Sequence, residues 1–118
     1  MRERGSGFLE VAREALTTGR YNISCFLSEQ AAQLHLKSVL LETVGDYPRT
    51  HRIRELLAEA SKTGKEEIQS FVQKNRARLI ALEDAYIISR YTSSKYTNED
   101  AEDMIKLAKE ILILTAEV

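Results

Sequence analysis

The segment Ile23-Ser-Cys-Phe-Leu-Ser-Glu-Gln-Ala-Ala-Gln-Leu-His-Leu-Lys-Ser-Val-Leu-Leu-Glu-Thr-Val44 decides the fold. Ile23, Phe26, Leu27, Ala31, Leu34 and Leu41 recur at helical spacing, and Ala32, Leu36, Val39 and Leu40 widen the apolar arc. An arc that broad belongs to a central helix touched from several sides. Gly45-Asp-Tyr-Pro48 stops it, because proline cannot continue a helix and glycine relaxes the turn.

Four further helices are expected around this one. A first helix spans about Phe8 to Thr18, with Phe8, Ala12, Ala15 and Leu16 on one stripe and Gly19 as its stop. After the break, Thr50 can cap a short helix bearing Ile53, Leu56, Leu57 and Ala60. Thr63-Gly-Lys-Glu66 has capping-box spacing and should open one long helix carrying Ile68, Phe71, Val72, Leu79, Leu82, Tyr86 and Ile87. Beyond Arg90 the stretch Tyr91-Thr-Ser-Ser-Lys-Tyr-Thr97 reads as a polar loop. Thr97-Asn-Glu-Asp100 repeats the capping-box spacing, and the acidic residues that follow suit a helix start, not a metal site. The last helix presents Ala101, Met104, Ile105, Ala108, Ile111 and Leu112. Its end, Ile111-Leu-Ile-Leu114, is apolar all round and calls for a cover, which is an argument for a homodimer.

The whole composition agrees with a single helical domain. The chain has 118 residues, 43% of them hydrophobic and 30% charged, with one proline and no tryptophan. A formal net charge of −1 excludes a body that is basic everywhere, so any hold on nucleic acid must come from a local patch. The lone Cys25 suits a reducing compartment and reads as a small core residue. No apolar run reaches the ~20 residues of a bilayer span, and no apolar signal region follows Met1. A cytoplasmic protein without membrane contact is expected.

Most tempting motifs fail. Lys62-Thr-Gly-Lys65 resembles the end of a phosphate loop, but Glu59 stands where the upstream glycine should be, and no Ser or Thr follows Lys65. Gly5-Ser-Gly7 lies ahead of a helix but lacks the preceding strand of a nucleotide-binding turn. The two histidines, His35 and His51, have no ligand partner at metal spacing; His51 is expected to support the start of the third helix and His35 to lie on a polar edge. No cofactor or metal is implied.

Chemistry concentrates in Glu83-Asp-Ala-Tyr-Ile-Ile-Ser-Arg-Tyr-Thr-Ser-Ser-Lys-Tyr96. Tyr86 and Arg90 are four apart and share a helix face. Arg90, Tyr91, Lys95 and Tyr96 then gather at the helix end. A guanidinium holds phosphate through a fork of donors, and tyrosines offer surfaces for bases. Taken alone, the simpler alternative is structural: Arg90 complements the helix dipole and the tyrosines anchor the loop.

Three stretches tilt the reading. They are Gly19-Arg-Tyr-Asn-Ile-Ser-Cys-Phe-Leu-Ser-Glu-Gln-Ala-Ala-Gln-Leu-His-Leu-Lys37, Thr50-His-Arg-Ile-Arg-Glu-Leu-Leu57 and Asp84-Ala-Tyr-Ile-Ile-Ser-Arg-Tyr91. In order and spacing the chain resembles the HEPN family across nearly its whole length. The resemblance implies an all-α, up-and-down bundle of four long helices plus a short one, usually dimeric. It also implies RNA cleavage or RNA binding, often in a toxin–antitoxin pair with a small nucleotidyltransferase as partner.

In ribonuclease members of that family an Arg is followed, after four to six residues, by a His. Arg90 matches the Arg, but Tyr96 stands at the His position after a five-residue gap. Metal-free cleavage needs a group that takes a proton from the ribose 2′-hydroxyl near neutral pH, and a phenol with an unperturbed pKa near ~10 does this poorly. Losing a general base costs ~10² to 10⁴ in rate. The resemblance therefore implies a nucleotide- or RNA-binding surface at Arg90, Tyr91, Tyr86 and Lys95, with Arg90 and Tyr96 as the catalytic candidates. Glu29, Gln30 and Lys37 lie in the matching second-helix stretch and either face the same groove or form an interhelical polar edge. Two alternatives stand beside this reading. One is an active metal-independent endoribonuclease with His51 as substitute base, and the other a purely structural interaction subunit.

Overall fold

A computed structural model describes residues 3–91 and 96–116; of the candidate residues, Lys95 and the side chains of Arg90 and Tyr91 lie outside what is described. Among the described residues six helices follow one another: α1 Glu3–Thr17, α2 Tyr21–Thr43, α3 Ile53–Ser61, α4 Glu66–Lys74, α5 Arg76–Tyr91 and α6 Asn98–Leu114. The fold is an all-α bundle with α2 at its centre, packed against α1, α3, α5 and α6. Leu36 and Leu40 of α2 meet Ile53, Leu56, Leu57, Leu79, Leu82, Leu107 and Ile111 in one core, all essentially inaccessible to solvent. No described helix is long and apolar enough to cross a membrane.

The apolar arc expected on α2 is displaced in detail. Ile23 and Leu41 are exposed, whereas Ser24, Ser28, Glu29, Gln33, His35 and Ser38 are buried. A helix covered on four sides has to bury polar residues too, and each must then find a partner inside. The Ser24 hydroxyl donates to the Ala12 carbonyl at 2.8 Å, tying α2 to α1. His35 is also inside, not on a polar edge: its Nε2 lies 2.8 Å from Thr115 Oγ1. Thr115 already donates its hydroxyl proton to the Ile111 carbonyl, so His35 supplies the proton of this bond from Nε2.

The two capping-box spacings end differently. At α6 the box forms, Thr97 Oγ1 accepting from the Asp100 amide at 3.1 Å and Asp100 accepting from the Thr97 amide at 3.0 Å. At Thr63 it does not. The Thr63 hydroxyl donates back to the Ala60 carbonyl, Gly64 turns the chain at φ +100°, and α4 starts behind Lys65. Lys65 Nζ donates to the Leu114 carbonyl at 2.9 Å, a C-terminal cap for α6, so this residue serves packing in place of phosphate.

The single long helix expected after Thr63 is two, broken at Asn75. The Asn75 side chain donates to the Phe71 carbonyl and accepts from Arg78 at 2.8 Å, competing with helix continuation as asparagine does. Arg78 then reaches Asp103 and Glu110 of α6 at 2.9 and 3.2 Å, fixing the start of α5.

Gly5 and Gly7 lie within α1, not ahead of it. A Cβ on Gly5 would stand 3.1 Å from both the Ala31 carbonyl oxygen and His35 Cβ, whereas one on Gly7 would meet nothing within 4 Å. Gly7→Ala should therefore raise stability by up to about 1 kcal/mol through helix propensity. Gly5→Val should lower it by about 1–3 kcal/mol, since α1 must move off α2. Urea unfolding of the two variants beside the parent checks both signs.

Candidate functional site

The start of α3 is clamped to the middle of α5. Arg54 donates from its amide and Nε to Glu83 Oε2 at 2.8 and 2.9 Å, and from Nη2 to Glu83 Oε1 at 3.1 Å. Glu83 is buried, so this fork is a far stronger tie than an exposed pair. The clamp sets the next contact. Three residues back from Arg54 is His51, three on from Glu83 is Tyr86, and their rings stack with centroids 4.5 Å apart and planes 9° from parallel. Phe26 of α2 closes the cluster, its ring tilted at 6.4 Å from Tyr86. His51 thus lies against Tyr86, four residues before Arg90 along α5, instead of merely supporting the start of α3. His51 Nδ1 is buried and has no hydrogen-bond partner among the described residues. A buried polar atom in that state is costly unless something brought to the site satisfies it.

Glu29, Gln30 and Lys37 form a line of their own along α2. Gln30 and Gln33 each donate a side-chain amide to one Glu29 oxygen at 2.7 Å, and Lys37 Nζ donates to Gln33 Oε1 at 2.8 Å. Burial pushes the Glu29 carboxyl up to about 7; the two amide donors and Lys37 oppose the shift, and the Glu83 charge adds to it. The far end of this line, Lys37, lies 5.5 Å from the centre of the Tyr47 ring.

Tyr96 follows the candidate arginine in sequence, in the connection into α6. It packs against the core, and burial, followed by the charges of Cys25, Asp84 and Asp100, pushes its phenol up to about 12. A phenol so shifted keeps its proton at neutral pH and is a still poorer base than an unperturbed one. Cys25 is likewise fully buried with its thiol pushed up to about 12, chiefly by burial, which makes it a core residue and not a nucleophile.

The buried glutamate of α2 has a signature. A carboxyl bound more tightly to its proton when folded stabilises the fold below its unfolded pKa, and loses that contribution as the pH rises through its folded one. For Glu29 the window runs from 4.5 to about 7. Unfolding free energy should fall across it by on the order of 3 kcal/mol, at about 1.4 kcal/mol per unit. Glu29→Gln should remove most of that fall. Denaturant titrations at several pH values test this, and parallel pH profiles for the two proteins would contradict it.

Comparison with known proteins identifies the fold and family. The HEPN domain family matches residues 1–118. Among solved structures, the crystal structure of TT1696 from Thermus thermophilus is similar at a TM-score of 0.79 and 27% identity, over 98% of this chain and 93% of that one. No curated protein matches. With a bundle of the right topology and a family match from end to end, the chain belongs to the HEPN family.

Proposed function

We propose that this HEPN domain works as a homodimer that binds RNA or a nucleotide at the end of α5, and that it is weakly active or inactive as a nuclease. The observation that carries the reading is the stack of His51 on Tyr86, one turn before Arg90. It joins an aromatic surface, an imidazole and a guanidinium-bearing turn from parts of the chain far apart in sequence. Arg90 is the residue for phosphate, with Tyr91 and Lys95 following it in sequence, and Glu29, Gln30 and Lys37 of α2 are the further polar candidates. Binding is favoured over cleavage because the residue in the motif histidine's place, Tyr96, holds its proton too tightly. By family analogy, the partner that regulates it is of the nucleotidyltransferase type, in a toxin–antitoxin pair.

A second reading, a structural interaction subunit, draws on another face. An open groove of about 890 Å³ runs between α1 and α6, lined among others by Leu9, Leu112 and Ile113. Ile113 is 67% exposed there. A protein that is dimeric by light scattering yet has no affinity for RNA or nucleotide would favour this reading over the first.

The deciding test measures oligo(U) and ATP binding, and RNA cleavage in chelator, for the parent protein and Arg90→Ala. Arg90→Ala should weaken oligo(U) binding by about tenfold or more, the loss of one charge-assisted hydrogen bond, and neither protein should cleave. Unchanged binding in the variant would remove Arg90 from the site. Cleavage that Arg90→Ala abolishes would establish instead an endoribonuclease, with His51 as the candidate base.

A further inference from the structure

The connection between α2 and α3 carries aromatic and basic residues in alternation: Tyr47, Arg49, His51, Arg52. Its geometry is organised. The Tyr47 ring has Lys37 Nζ at 5.5 Å and Arg49 Cζ at 5.0 Å from its centre, so one half-buried ring gathers cations from α2 and from the connection itself. Arg49 and Arg52 stand out in solvent, with side chains 78% and 63% exposed. Their carboxylate neighbours, Asp46 at 3.9 Å and Glu55 at 3.6 Å, are held only in exposed pairs of the kind that contribute little and exchange readily for another anion. Arg54, by contrast, is committed to Glu83. At the far end of the same connection, His51 lies on Tyr86, next to the last turn of α5.

We infer that this connection is a phosphate-contacting strip for single-stranded RNA, with Lys37, Arg49 and Arg52 along the sugar–phosphate backbone leading to the α5 end. This rests on the reading of the α5 end as an RNA or nucleotide site, and it selects a strand over a mononucleotide. Arg49 and Arg52 are separated by up to ~10 Å of extended backbone, so together with Lys37 they suit successive phosphates and not one phosphate group. A single strand fits because the aromatic pair at the end of the strip can meet only a base that is already unstacked. With a net charge of −1 the chain as a whole does not attract RNA, so a local group of cations such as this strip has to.

The experiment compares fluorescein-labelled oligo(U) and ATP binding across a salt series for the parent, Arg90→Ala, the double variant Arg49→Gln/Arg52→Gln, and Glu55→Gln. Each phosphate contact on a single strand adds about 0.7 to the slope of log affinity against log salt. The double variant should therefore lose about 1.4 from that slope and bind oligo(U) more weakly at low salt, with ATP binding unchanged. Glu55→Gln, which frees Arg52 of its carboxylate, should bind oligo(U) more tightly, a gain that misfolding cannot imitate. A double variant with the parent's affinity and slope overturns the strip, as does a parent protein that binds ATP but not oligo(U); in both cases the α5 site stands if Arg90→Ala still weakens binding of whichever ligand the parent holds. Weakening by the double variant with none by Arg90→Ala overturns the α5 reading and leaves the strip.

Discussion

A helix packed against four neighbours leaves little solvent face for its polar residues, and α2 is such a helix. The polar residues buried on it must be answered from within the bundle. Ser24 answers to α1, His35 to Thr115 beyond α6, and Glu29 to its own neighbours Gln30 and Gln33. The last of these has consequences beyond stability. A buried carboxylate with two amide donors and a lysine at the end of the line is a polar seam through the core, and the Glu83 charge raises the Glu29 pKa across it from α5. Glu83 in turn holds Arg54, and Arg54 fixes where α3 begins. Packing, electrostatics and the position of the candidate site are thus one connected set of constraints.

From that set follows the placement of His51. The Arg54–Glu83 fork brings α3 and α5 into one register, and the ring stack on Tyr86 is the next contact along it. Because Glu83 is buried and the fork is multiply bonded, it holds the site on the bundle's frame while the exposed Arg49 and Arg52 keep only weak pairs that another anion can replace. A rigid aromatic pair beside exposed cations is a sensible arrangement for a ligand with stackable bases and a charged backbone.

How much of this was legible in the sequence varies with the range of the interaction. The all-α fold and the central place of α2 followed from apolar spacing, and the Thr97–Asp100 box from two residues three apart. The similar box at Thr63 was not made, because Gly64 turns the chain and Thr63 bonds backwards instead. The break at Asn75 depends on Arg78 reaching Asp103 and Glu110, which no local pattern announces. His35 looked polar by neighbourhood and is buried by topology. For the site, Tyr86 and the α2 polar residues were visible as candidates, but the partner of Tyr86 lies 35 positions away by number, and periodicity carries no information at that range. One signal was available and went unused: the alternation of aromatic and basic residues from Tyr47 to Arg52.

The most direct measurement maps the amide resonances of the isotope-labelled protein as oligo(U) is added. Binding at the end of α5 should shift the amides of Tyr86 and Arg90 together with that of His51, because the stack joins them, and leave Leu9 and Ile113 in the α1–α6 groove unmoved. Shifts confined to that groove, or none at saturating RNA, would contradict the assignment of the site.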